Sequence, residues 1–155
     1  MKKINTLFVF ILPLLIGSVF SGCNKYEDGP AISLRTKKQR VSNAWRIEQV
    51  FETENGGSKE DKTTDYKNAY FNYVLTIKKE GNYTIIYRPY NISDYSEAGT
   101  WDFGADKNNL VFVNSNGNTS SIGTVWEISR LKEKELWMRT YTNNGKIIEA
   151  HFIPN

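Results

Sequence analysis

The sequence predicts an all-β domain: an eight-stranded antiparallel up-and-down β-barrel with a short N-terminal helix in front of it. Three observations predict it. From Trp45 onward apolar residues recur at every second position, the period of a half-buried strand. Polar turn signals separate these runs with no helix between them, so successive strands can pair with their neighbours. All 9 Tyr and all 4 Trp fall after residue 22, in a chain rich in Thr and Asn, and that mixture favours strands and turns. An open meander of eight strands would expose two edges, and closure into a barrel removes both. A two-sheet sandwich fits the same periodicity and is the competing architecture.

Residues 1–22 form a positive start, Lys2 and Lys3, followed by an apolar run from Leu7 to Phe20 broken only by Pro13, Gly17 and Ser18. The run is too short for a membrane-spanning helix, which needs about 20 residues, and suits the core of an export signal. It ends in Phe20-Ser21-Gly22-Cys23, which resembles a bacterial lipoprotein signal. In such signals the thiol is lipidated and the chain is cut just before it. The resemblance implies that Cys23, the only cysteine, is a lipid anchor in the outer membrane, facing the periplasm or the cell surface. The alternative is an ordinary secretory signal with a stray thiol, a liability that invites intermolecular disulfides. Residues 23–31 are polar and end in Gly29-Pro30, so they read as a flexible tether. Glu27-Asp28 also resembles the surface-export signal of Bacteroidetes lipoproteins. The barrel domain takes residues 32–155.

The chain has a formal charge of +3, but the signal holds two lysines and no acid, which leaves the mature part close to neutral. Near-neutrality gives no electrostatic reason to expect a nucleic-acid partner. With no second cysteine, no disulfide can brace the domain.

Ile32–Asn43 is the expected helix, with a thin apolar set (Ile32, Leu34, Val41) among basic residues. The first strand presents Trp45, Ile47 and Phe51 on one face. The polar stretch from Glu52 to Asp65 reads as a long mobile loop. Phe71, Tyr73, Leu75 and Ile77 share a face of the second strand, and Tyr83, Ile85 and Tyr87 of the third, which Pro89 ends. After a loop over Asn91–Glu97, Gly99, Trp101 and Phe103 face the core from the fourth. Leu110–Asn114 is the fifth. The sixth presents Ile122, Thr124, Trp126 and Ile128, and the seventh Leu136, Met138 and Thr140. Asn144-Gly145 is a tight-hairpin signal, and Ile148, Ala150 and Phe152 complete the eighth.

Several of these residues also form a pattern: Asn43-Ala44-Trp45 after a short helix, Gly99-Thr100-Trp101-Asp102-Phe103 in mid-chain, and Ile128-Ser129-Arg130-Leu131 followed by Glu135-Leu136. Behind a lipoprotein signal, they resemble the lipocalin-like domain of Bacteroidetes lipoproteins over roughly residues 32–153. The resemblance implies that Trp45 lies on the barrel floor and that the barrel is a calyx for a small apolar molecule.

Catalytic and metal chemistry find little support. His151, the only histidine, stands among strand residues, and no serine sits in a G-x-S-x-G elbow. Zinc would need several His or Cys ligands. Asp61 and Asp65, with Glu52, Glu54 and Glu60, do not follow the spacing of a calcium loop. The expectation is therefore a non-enzymatic protein with no metal and no cofactor. The inward aromatics Tyr73, Tyr87, Trp101 and Trp126 are the candidate ligand-binding residues, offering apolar walls and orienting polar tips. Two readings stay open. In the first, the barrel binds a small, partly apolar ligand. In the second, the barrel is filled, and loops 52–65 and 91–97 contact another envelope protein in a structural or interaction role.

Overall fold

Alternating side chains build the wall and the filling of one closed sheet. A computed structural model describes residues 34–54, 57–116 and 124–155. The signal segment, Cys23, the tether and Ile122 lie outside the described residues. In chain order the elements are α1 (Lys37–Val41), β1 (Ala44–Thr53), β2 (Lys59–Asp61), α2 (Thr63–Ala69), β3 (Tyr70–Ile77), β4 (Asn82–Pro89), β5 (Tyr95–Phe103), β6 (Asn109–Asn114), β7 (Val125–Leu131), β8 (Leu136–Tyr141) and β9 (Ile147–Pro154).

From β3 to β9 each strand pairs antiparallel with the next, and β1 pairs with β3 on one side and β9 on the other. The β1–β9 ladder runs from Trp45 opposite Pro154 to Thr53 opposite Ile147. That ladder closes the barrel and sets the sandwich aside. The eight barrel strands are the eight expected. The short β2 lies outside the ring, paired only with the far end of β1.

The floor is the end where the chain enters the sheet. Thr36 caps α1 with a reciprocal Thr–Gln39 capping box. Only Lys37–Val41 of the expected helix is helical among the described residues. The Trp45 indole N–H donates to the Val41 carbonyl at 2.8 Å, and Arg40 donates to the Leu131 carbonyl at 2.7 Å. Trp45, Leu75, Ile85, Leu110, Phe112, Leu131 and Leu136 are fully buried. Tyr83 lies across Gly99, where a Cβ would come within 2.1 Å of the Val113 carbonyl oxygen and 2.6 Å of the Tyr83 ring. Only glycine lets that ring settle there.

Two bulges change the expected faces. One between Ile47 and Gln49 shifts the parity of β1, so Val50 points in and Phe51 points out. There Phe51 packs against His151 on the outer surface. The second lies between Phe71 and Val74, with Asn72 at φ +55°, and leaves Phe71 exposed while Tyr73, Leu75 and Ile77 stay inside. A third irregularity, between Ile128 and Arg130, brings Leu131 inward.

The stretch expected as a mobile loop, 52–65, instead holds the end of β1, β2 and the start of α2. The loop expected over Asn91–Glu97 is shorter, because β5 begins at Tyr95.

Candidate functional site

At the mouth, opposite α1, the barrel is not filled. A half-enclosed cavity of about 130 Å³ lies between the inner faces of β1, β3 and β7–β9 and the underside of α2. Val50, Trp126, Met138 and Phe152 line it from β1, β7, β8 and β9, and Tyr66, Tyr70 and Tyr73 from α2 and β3. Among the described residues its lining carries no charged side chain.

α2 is a weak helix by composition, Thr-Thr-Asp-Tyr-Lys-Asn-Ala, and its position is fixed by packing and by bonds at its start. The Asp61 carboxylate accepts from the Thr63 backbone N–H at 2.8 Å. The Lys62 backbone N–H donates to the Val50 carbonyl, and the Thr63 hydroxyl accepts from the Val50 N–H at 3.0 Å. Tyr66 and Tyr70, four residues apart, stack with ring centroids 5.8 Å apart.

A polar latch holds this lid. The Tyr66 hydroxyl donates to Glu52 at 2.9 Å, and Lys146 donates to the other Glu52 oxygen at 2.8 Å. The Lys146 bond holds the Glu52 carboxyl below its ordinary range, against the upward push of burial, with help from Tyr66 and the charge of Lys62. Burial, then the bond to Glu52, pushes the Tyr66 hydroxyl up.

Behind the lid the rings form a chain. Tyr70 touches Tyr73 and Tyr87, and Tyr87 touches Tyr95 at 4.8 Å. The Tyr83 hydroxyl donates to Glu97 at 2.6 Å and the Tyr95 hydroxyl donates to its other oxygen at 3.2 Å. Glu97 is buried inside the barrel. Tyr73 is 6% exposed, and its hydroxyl is fully buried with no protein hydrogen-bond partner. Burial first, and then the nearby Glu97 charge, pushes that hydroxyl well above its ordinary value, so it stays a proton donor.

The four candidate residues therefore separate. Tyr73 and Trp126 line the cavity. Tyr87 sits one ring behind Tyr73, with centroids 6.1 Å apart. Trp101 is at the floor: its indole N–H donates to the Lys78 carbonyl at 2.7 Å, and it packs edge-on against Phe103. Tyr66 and Tyr70 escaped the sequence reading because they follow directly on a polar run. Their spacing of four, helical rather than strand-like, was the available signal. Glu97 was also missed, although the parity of Gly99, Trp101 and Phe103 extends back to it.

His151 is buried on the outer face, away from the cavity. Its ring stacks on Trp137 with centroids 3.9 Å apart and shares a 2.6 Å hydrogen bond with Glu149. Among the described residues no group of three His, Cys, Asp or Glu side chains gathers as metal ligands would. Also among them, no helix is long and apolar enough to cross a membrane.

No family model matches the chain, and no curated protein matches it. Solved structures do. The chain is similar to a lipocalin-like protein from Bacteroides uniformis, at 9% identity and a TM-score of 0.49, over 75% of this chain and 99% of that one. It is similar to an uncharacterized protein from Bacteroides eggerthii, at 9% identity and a TM-score of 0.46, over 73% of this chain and 98% of the other. A de novo designed fluorescence-activating β-barrel matches at 9% identity and a TM-score of 0.39, over 79% of this chain and all of that one. These likenesses are in the path of the chain. The barrel itself rests on the strand pairing given above.

Proposed function

We propose that the protein is a lipid-anchored envelope protein, without catalytic activity, whose barrel mouth binds one small, largely apolar molecule. The observation that supports binding is the half-enclosed, uncharged cavity under α2, lined by rings and aliphatic chains. Its size sets the scale of the ligand. Drug-sized pockets run to about 300 Å³ and above, whereas an apolar cavity of about 150 Å³ takes up benzene. At about 130 Å³ the ligand is a single ring or a short branched chain. Support for the anchor comes from the sequence alone, from Cys23 behind its basic and apolar run.

Native mass spectrometry of the detergent-extracted full chain tests the binding half, with a co-purified small molecule as the expected result. Empty protein recovered from native membranes would sink it. For the anchor, Cys23→Ala is expected to move the domain from the membrane to the soluble fraction, and unchanged membrane association would refute lipidation.

A second reading, a filled structural or interaction barrel, is favoured by the solid floor half and by Tyr90 and Ile92. These two are 72% and 81% exposed on the loop beside the mouth. On that reading the cavity is a packing remnant and the extracted protein carries nothing.

A further inference from the structure

We propose that the ligand of this cavity is an amphiphile with an anionic head. Its apolar end lies inside, and its head reaches through a window in the barrel wall to a basic groove outside. The proposal rests on the binding function given above and deepens it by naming the ligand class.

The window comes from the strand pairing. β1 pairs with β3 only at Ala44–Arg46, opposite Thr76–Val74, and with the outlying β2 only from Phe51 to Thr53. Between these ladders Ile47 to Gln49 have no partner on β3, while β9 follows the other side of β1. β3 departs at the bulge before Val74, with Asn72 at φ +55°. α2 bounds the gap above, tied to Val50 through Lys62 and Thr63.

Two spaces meet at this gap. Ile47, Tyr70 and Tyr73 line the inner cavity and also an open groove of about 440 Å³ on the outer side. Ile47 and Tyr73 pack with the core, and they border an outer groove because no ladder closes the wall beside them.

The two spaces differ in charge. Among the described residues, the cavity lining has no charged side chain, whereas the groove is lined by Arg46 and Lys67 and by no acidic side chain. Both cations are exposed, and neither is held in an ion pair among the described residues. Lys67 exerts only the weakest of the pulls on Asp61. A ring or branched chain suits the first space and an anion the second. A carboxylate in the groove keeps part of its water and gains two cations, so it escapes the cost of burying an ion.

Calorimetric titration of the full chain in digitonin, whose steroid body is too bulky for the cavity, tests this. The probes are 4-phenylbutyrate and 6-phenylhexanoate (a ring with an acid head at two reaches), their amides (the same shapes without charge) and butyrate (the head without the ring). At low salt the better acid is expected to bind about tenfold tighter than its amide, and butyrate at least about tenfold weaker than that acid. In the double variant Arg46→Gln/Lys67→Gln the acid should fall to the level of its amide. The amide should bind as before, which also certifies the fold. Equal wild-type affinity for acid and amide would overturn the proposal and leave the binding function standing. So would a preference for the acid that survives in the double variant. Butyrate binding as tightly as the ringed acids would also overturn it, by making the groove an anion site unconnected with the cavity. Failure of every probe to bind would overturn both readings together.

Discussion

The two ends of the barrel use the same kinds of residue to opposite effect. At the floor, large rings meet partners made for them: Trp45 bonds the carbonyl of Val41, Trp101 that of Lys78, and Tyr83 rests on Gly99 with its hydroxyl on Glu97. At the mouth, Tyr66, Tyr70, Tyr73 and Trp126 surround a space, and the fully buried hydroxyl of Tyr73 has no protein partner. Aromatic content alone therefore does not say whether a barrel is solid or hollow. What decides it is whether small residues and backbone carbonyls sit opposite the rings.

Removing one indole from each end gives the largest expected contrast. Trp45→Ala should destabilise the domain by about 3–5 kcal/mol, because it empties a sealed site and strands the Val41 carbonyl. Trp126→Ala borders a space that is already open, so its cost should fall at or below the bottom of that range. Chemical unfolding curves of both variants check this, and equal losses would erase the distinction between the ends.

A smaller contrast comes from one chemical change made at two depths. Tyr83→Phe removes the 2.6 Å bond to Glu97 and should cost about 1.5–3 kcal/mol, the range for a bond to a charged group. Tyr73→Phe deletes a hydroxyl with no protein partner and should leave stability unchanged or raise it by up to about 1 kcal/mol. Differential unfolding shows whether the signs differ as stated.

The latch over the mouth gives the smallest effect and a pH signature. The folded Glu52 carboxyl sits below its ordinary value of 4.5, so its contribution is fully present above that pH and fades as pH falls through the lowered value. Lys146 is shifted upward from 10.5 by its bond to Glu52, so its share is lost as pH rises through the raised value. The latch is complete between the two. Glu52→Gln should cost about 0.5–1 kcal/mol near neutral pH, since the pair is partly open to water. It should also flatten the acid-side loss of amide protection in α2, measured by hydrogen exchange. A variant whose α2 still opens on acidification like the parent would show that other groups hold the lid.

Much of the barrel was legible because its period of two is long and regular. The inward set Tyr83–Ile85, Gly99–Trp101 and Leu136–Met138 stands in the structure as the alternation predicts. What the pattern could not show were places where an extra residue resets the alternation. The bulges near Ile47 and Asn72 turn Phe51 and Phe71 outward, and nothing in the local composition marks either one. The lid was illegible for a different reason. Thr63–Ala69 has little helical propensity, and its helix exists because Tyr66 and Tyr70 find the barrel mouth beneath them. The candidate site was half legible: Tyr73 and Trp126 line the cavity, but parity along a strand cannot say which end of the barrel a residue occupies. Trp101, on the same inner surface, is therefore at the other end.

The placement of α1 has a consequence for how the molecule meets its surroundings. Its capped helix plugs the closed end, with Lys37 bonded to the Lys107 carbonyl and Arg40 to that of Leu131. Any leash upstream of Lys37 therefore pulls on the base of a cup. The opening under α2 lies at the other end of the barrel from that point of attachment.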